Sequence, residues 1–328
     1  MTFSLPDSWV WDFWTAVDGD TIHLFYLHAP MALGDPDLRH RNASIGHATS
    51  TDGVAWVDHG VVLAHGVPGS PDVSATWTGS VLRDPSGTWR MFYTGARFAA
   101  PGDRTNVETI LMATSADLFT WVKDPGVAVS AAHPWYETLA DGTWHEEAWR
   151  DPWIVRDPGG QGWHMLMTAR ARDIPADVDP LDRGVVGHAV SDDLVHWTLA
   201  APLSAPGAGF THLEVPQLTR IDDRAVLLFS CDSAHLAGDR RGGEGGIWAL
   251  PVDAEELLAG TVDVRAAHRI TGDELYAGRI VRTPDGPALL GFENTGTGGA
   301  FIGRLADPRP VHWDGRGRLV VAQQEVAS

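Results

Sequence analysis

Three carboxylates in this chain stand where an acid is out of place. Asp12 lies in Trp9-Val-Trp-Asp-Phe-Trp14, Asp151 in Trp149-Arg-Asp-Pro-Trp153, and Glu214 in His212-Leu-Glu-Val-Pro-Gln217. Each is set among apolar or aromatic neighbours. An ionised carboxylate is costly to bury without a partner, so three of them ask for a chemical reason. Glycoside hydrolysis supplies one. A carboxylic acid protonates the leaving oxygen, a second carboxylate attacks the anomeric carbon or activates water, and a third can steady the oxocarbenium-like charge. Leu213, Val215 and Pro216 flank Glu214 with apolar surface, a setting suited to the acid role.

The elements that must position these residues show in a repeat. A turn followed by a short β-rich run begins at Asp18, Asp84, Asp157, Asp222 and Asp285, at spacings of 66, 73, 65 and 63 residues. Turn chemistry followed by such a run marks a hairpin strand. A second pattern follows in three units, as Gly46 to Trp56, Met112 to Trp121 and Gly187 to Trp197, and in each a Ser precedes the Trp by six residues. It reads as a strand, a polar turn and a Trp packing back on the sheet, which gives His47 and His188 structural roles. Helical periodicity is confined to one short turn over Asp253–Ala259. Five similar units without a linker suggest one domain, a propeller of four-stranded blades. The segment before each hairpin then becomes the innermost strand, bordering the channel. Asp12, Asp151 and Glu214 are expected at equivalent positions there, on blades one, three and four. The stretches 99–106 and 131–147 read as loops decorating one face, and adjacent Asp273 and Glu274 as a polar turn.

Composition narrows the partners. A net charge of −19 repels nucleic acid and anionic membranes, which leaves a neutral or cationic partner. A single cysteine, Cys231, excludes an internal disulfide framework and a cysteine-based zinc cluster. The opening residues carry no signal-peptide pattern and no run is apolar enough to span a membrane, so a cytoplasmic protein is expected. The 15 Trp against 4 Tyr favour sheet packing over sugar stacking, although Trp serves both. His145-Glu-Glu147 lacks the spacing of a metal-binding helix, Ser80 stands in no nucleophile elbow, and Gly242–Gly246 follows no strand-to-helix pattern that would cradle phosphate. No metal and no cofactor are expected.

With these motifs in hand, the chain resembles glycoside hydrolase family 32, the invertase, levanase and inulinase group, related to the family 43 and 68 propellers. Trp9-Val-Trp-Asp12 resembles that family's Trp-Met-Asn-Asp nucleophile motif, and Gly46-His-Ala-Thr-Ser-Thr-Asp…Trp56 its Gly-His-Ala stretch. Trp77-Thr-Gly-Ser80 with Phe92-Tyr-Thr-Gly95 resembles its Phe-Ser-Gly-Ser and Phe-Tyr-Thr-Gly pair. Arg150-Asp-Pro152, Glu214-Val-Pro216 and Asp273-Glu-Leu-Tyr-Ala277 follow in the family's order. The resemblance implies a five-bladed fold and a retaining route, with Asp12 as nucleophile, Glu214 as acid/base and Asp151 as transition-state stabiliser. It further implies that Arg150 contacts sugar hydroxyls and that Trp9, Trp11, Trp77, Ser80 and Tyr276 line a fructosyl pocket. The substrate would be a small oligosaccharide or glycoside carrying a terminal furanoside.

Three departures are visible. Trp11 replaces the family's Asn, Gln217 stands where Asp is usual, and the chain stops at Ser328 after a segment, Ala300 to Ala322, that reads as the outer strands of blade five. The C-terminal β-sandwich of most members is therefore not expected. An inverting arabinofuranosidase or xylosidase of family 43, a catalytically silent sugar-binding propeller and a fructosyl transferase are the competing readings.

Overall fold

The computed structural model describes residues 3–260 and 262–322. They form five antiparallel sheets arranged as blades. Blade one holds β1 (Ser8–Asp18), β2 (Thr21–Pro30), β3 (Ser44–Ser50) and β4 (Val57–Leu63). Blade two holds β5 (Ala75–Arg83), β6 (Trp89–Phe98), β7 (Asn106–Ser115) and β8 (Val122–Ser130), with the two-residue β9 (Glu146–Glu147) added in parallel to β7. Blade three holds β10 (Trp149–Arg156), β11 (Trp163–Arg170), β12 (Gly184–Ser191) and β13 (Thr198–Ala200). Blade four holds β14 (Glu214–Ile221), β15 (Arg224–Cys231), β16 (Gly246–Val252) and β17 (His268–Arg269). Blade five holds β18 (Leu275–Thr283), β19 (Gly286–Thr295), β20 (Phe301–Leu305), β21 (Arg309–Trp313) and β22 (Leu319–Val321). The innermost strands β1, β5, β10, β14 and β18 touch in a ring that closes from β18 back to β1. The fold is a five-bladed, all-β propeller.

The repeat has a local cause. In the turns after β3, β7 and β12, the hydroxyl of Ser50, Ser115 or Ser191 meets Asp52, Asp117 or Asp193, and each Asp oxygen collects two backbone N–H groups at 2.7–2.9 Å. Such side-chain turns hold the next residue in the left-handed region, where Gly53, Leu118 and Leu194 sit at φ +74°, +67° and +67°. The short helix α1 (Ala254–Ala259) is capped by the Asp253 carboxylate, which accepts from the N–H groups of Glu255 and Glu256.

The core lies between blades. Phe92, Ile110 and Met112 of blade two pack on Trp149, Met165 and Met167 of blade three, and Leu166 and Val186 of blade three pack on Leu218 and Phe229 of blade four. The tryptophans fasten these interfaces. The indole N–H of Trp149 donates to Val129 O at 2.9 Å, that of Trp153 to Leu218 O at 3.0 Å and that of Trp313 to Ile221 O at 3.0 Å, in each case across a blade boundary. A large apolar face carrying one satisfied donor suits that place. His47 stacks on His23, and His188 on His164, at ring separations of 5.1 Å within blades one and three. Gln217 ties β14 to β18 through two bonds, to Ile280 O at 3.1 Å and from Ile280 N at 2.7 Å.

Candidate active site

Every innermost strand breaks its register at one place. Pairing shifts between Trp11 and Phe13, Trp77 and Gly79, Arg150 and Trp153, Glu214 and Gln217, and Tyr276 and Arg279. A bulge re-aims side chains and ends regular pairing, which is why bulges gather beside active sites. The bulges also bring Asp151, Val215 and Ala277 to φ +61°, +54° and +50°, a conformation that costs a non-glycine residue on the order of 1–3 kcal/mol.

The bulges put Trp11, Trp77, Arg150, Glu214 and Tyr276 in one tier, and Asp12, Thr78, Asp151, Val215 and Ala277 in the next. The expected equivalence of the three carboxylates is corrected here. Asp12 and Asp151 hold the same bulge position, whereas Glu214 falls one residue earlier, in the tier of Arg150. Alternation along a strand cannot reveal that offset, because it arises at the bulge.

A single cavity of about 610 Å³ opens over both tiers. Asp12, Asp151, Glu214, Trp11, Trp77, Arg150 and Tyr276 all line it. Two expected members do not. Trp9 packs in the core, 7% exposed, with Gly303 against its side chain. Ser80 lies past the bulge in β5 and is buried, with no hydrogen-bond partner for its hydroxyl among the described residues. Thr78 takes the place foreseen for Ser80: its hydroxyl donates to Asp12 Oδ2.

The carboxylates are held differently. Asp151 Oδ2 accepts from the Thr168 hydroxyl at 2.6 Å and from Val215 N at 3.1 Å. Glu214 is met not by its apolar sequence neighbours but by Arg150 Nη2, at 2.6 Å, and the Tyr276 hydroxyl, at 2.6 Å. Burial, reinforced by the charges of Asp151 and Glu214, pushes Asp12 up to about 7 against the Thr78 bond and the Arg39 charge. Asp151 is likewise raised, by burial first and by Glu214, although Arg150 opposes this.

Arg150 balances more acid than its position in the sequence discloses. Its Nη1 lies 3.1 Å from Glu108 Oε1 and 3.1 Å from Glu146 Oε1, and its Nε 3.9 Å from Asp151 Oδ2. Burial opposes its charge, but these carboxylates and Glu214 hold the guanidinium well above its ordinary value. Glu108, fully buried, is pushed up to about 8 by burial in spite of Arg150.

The sequence reading missed Thr78, Glu146, Arg39, His212, Asp232 and His235, which line the cavity, and Glu108, which pairs with Arg150. Glu108 left a signal, a lone acid in the otherwise uncharged and mostly apolar run Val107–Ala113. Arg39 did not. It arrives on a loop between β2 and β3, folded into a 3₁₀ turn over Pro36–Arg41, and its guanidinium lies 4.0 Å from the Phe301 ring centroid and 5.7 Å from that of Trp11. The segments 99–105 and 131–145 are loops, as expected, and they carry Gly102, Asp103, Arg104 and His145 to the cavity rim. Glu146 and Glu147 form β9 rather than loop. Among the described residues, no group of His, Cys, Asp and Glu is arranged to hold a metal ion.

The raised Asp12 carboxyl has a consequence for stability. Its folded pKa of about 7 exceeds the unfolded value near 3.9, so between those pH values the native state binds more protons than the unfolded one. Stability contributed at low pH is lost as pH rises through 7. Asp12→Asn removes that loss. Thermal melts should show the variant gaining on the wild type from pH 5 to 7, with the gap level above about pH 7.5; a constant gap would count against a raised Asp12.

Comparison with known proteins follows the same outline. A sucrose-6-phosphate hydrolase of Escherichia coli is 28% identical over 67% of this chain, which spans only 40% of that relative's length. An extracellular sucrase of Zymomonas mobilis is 22% identical over 92% of this chain and 79% of its own. Among solved structures, an inulosucrase from Halalkalicoccus jeotgali bound to kestose superposes with a TM-score of 0.77 at 23% identity, over 97% of this chain and 87% of that one. The catalytic domain of a Microbacterium saccharophilum β-fructofuranosidase gives 0.73 at 18% identity, over 98% and 82%. Residues 15–286 match the glycosyl hydrolases family 32 N-terminal domain, a span that holds Arg150, Asp151, Glu214 and Tyr276 and begins three residues after Asp12, and by that match the chain belongs to family 32.

Proposed function

We propose that the protein hydrolyses a terminal fructofuranoside by retaining double displacement. The observation that carries this reading is the meeting of Asp12, Asp151 and Glu214, from blades one, three and four, in one cavity. The relatives support the substrate class: two are named for sucrose-type substrates, and the inulosucrase structure holds kestose.

The chain's own residues fill the roles. Asp12, aligned by the Thr78 hydroxyl, attacks the anomeric carbon while Glu214 gives its proton to the leaving oxygen. The ester on Asp12 is then opened by water, from which Glu214 takes a proton. Asp151, fixed by Thr168 and Val215 N, faces the positive charge that develops on the sugar ring. Arg150 and Tyr276 hold Glu214 in place, and Trp11 and Trp77 supply apolar faces for the ring carbons.

Turnover should be screened on sucrose, inulin, levan oligosaccharides and aryl furanosides with a reducing-sugar readout. On the best substrate, added methanol should yield the methyl glycoside with the anomeric configuration of the substrate, read by NMR. The opposite anomer would favour an inverting enzyme of the family 43 type, and absence of turnover throughout would favour a sugar-binding propeller.

A further inference from the structure

Arg279 is 1% exposed and lies on β18, three residues after Tyr276. Among the described residues no carboxylate lies within ion-pair distance of it. Its guanidinium instead donates to three backbone carbonyls: Phe13 O at 3.3 Å, Pro216 O at 3.1 Å and Gly79 O at 3.4 Å. It also sits 4.7 Å from the ring centroid of Trp153. One side chain of blade five thus touches the innermost strands of blades one, two, three and four.

The places it touches are the register breaks. Phe13 follows Asp12, Gly79 follows Thr78, Pro216 ends the bulge that begins at Glu214, and Trp153 ends the one that holds Asp151. We propose that Arg279 is a positioning residue: its guanidinium ties these bulges together and so fixes where Asp12, Thr78, Asp151 and Glu214 stand relative to one another. The proposal rests on the hydrolase reading above.

Chemistry favours this over a mere plug. A buried cation without a carboxylate partner is costly, and an apolar residue of similar volume is often at least as stabilising in such a place. Filling the axis would therefore not call for arginine. The three bonds leave from three different nitrogens of the planar guanidinium fork, Nε, Nη1 and Nη2, a spread that the single ammonium nitrogen of a lysine does not have. The cation is also attracted to Asp151 and Asp12, and burial lowers it only to about 10, so it stays charged at neutral pH.

Arg279→Met and Arg279→Lys separate the roles. The Met variant loses both fork and charge, and at a temperature well below its own melting point it should lose roughly 10²-fold in kcat, with KM within a few-fold, since small misplacement of reacting groups costs that much. The Lys variant keeps the charge and loses most of the fork, so kcat should fall by roughly tenfold with the acid limb of the pH profile unmoved. Carbon-13 carboxyl NMR adds a readout independent of turnover: Asp12 should titrate at higher pH in the Met variant and near the wild-type value in the Lys variant. Wild-type kcat in folded Arg279→Lys, or an Asp12 titration unchanged in Arg279→Met, would overturn the proposal. Should the Met variant not fold, the Lys variant decides. If wild-type protein turns over no furanoside, the hydrolase reading fails, while the NMR titration still tests the Arg279 contacts.

Discussion

Glu214→Gln should lose about 10³-fold or more in kcat on a natural fructoside and only about tenfold on an aryl furanoside with a good leaving group. The glutamine keeps the shape: its amide oxygen can accept from Arg150 while its NH2 donates to the Tyr276 oxygen, where Glu214 accepts from both groups at 2.6 Å. What it lacks is a transferable proton, and an activated leaving group departs without one. Hydrolysis of the covalent intermediate should then limit the rate, giving a burst of released aryl alcohol. Azide, a nucleophile that needs no general base, should restore turnover. The alkaline limb of the kcat/KM profile should disappear with the side chain. Equal losses on both substrates would assign Glu214 to binding and leave the acid to be found elsewhere.

Arg150→Met should carry the largest cost in stability. In the wild type this guanidinium compensates Glu108, Glu146, Asp151 and Glu214 from within the protein. Methionine fills much of the volume but leaves these acids without a cation. Breaking a buried ion pair from one side costs about 3–5 kcal/mol, or on the order of 10 °C in melting temperature for a chain of this size. The sign of the pH dependence follows from the acids. Without Arg150 the folded pKa values of Glu108 and Asp151 rise further and Glu146 loses the cation that holds its own down, so the deficit should be smallest near pH 5, where these acids take up protons, and grow toward pH 8. Glu108, already pushed up to about 8 by burial, makes a second site for the test. Glu108→Gln should return part of the melting temperature of Arg150→Met at pH 8. A deficit independent of pH would mean that Arg150 matters for packing and not for charge.

Much of the molecule was legible in the chain. The turn signals at Asp18, Asp84, Asp157, Asp222 and Asp285 mark where the first two strands of each blade meet, because a hairpin is a local structure set by local residues. The Ser–Asp turns at Ser50, Ser115 and Ser191 are local for the same reason. Asp12, Asp151 and Glu214 stood out because a lone acid in an apolar strand is costly at any address, a property of the residue and its immediate neighbours.

Tertiary structure decided the rest. Whether Thr78 or Ser80 meets Asp12, and whether Glu214 shares a tier with Asp151 or with Arg150, depends on where each innermost strand bulges. A one-residue slip turns a side chain to the other face, and the bulges are set by how five strands crowd one axis. Trp9 and Trp11 lie two residues apart on β1 and both join the core, yet only Trp11 also lines the cavity. The company of Arg150 was equally hidden: Glu108 comes from blade two, Glu146 from β9 and Glu214 from blade four, residues 42, 4 and 64 positions away. Long-range electrostatics of that kind exists only once the ring closes. The sequence by itself determined which residues could do the chemistry; closure of the ring decided which of them meet.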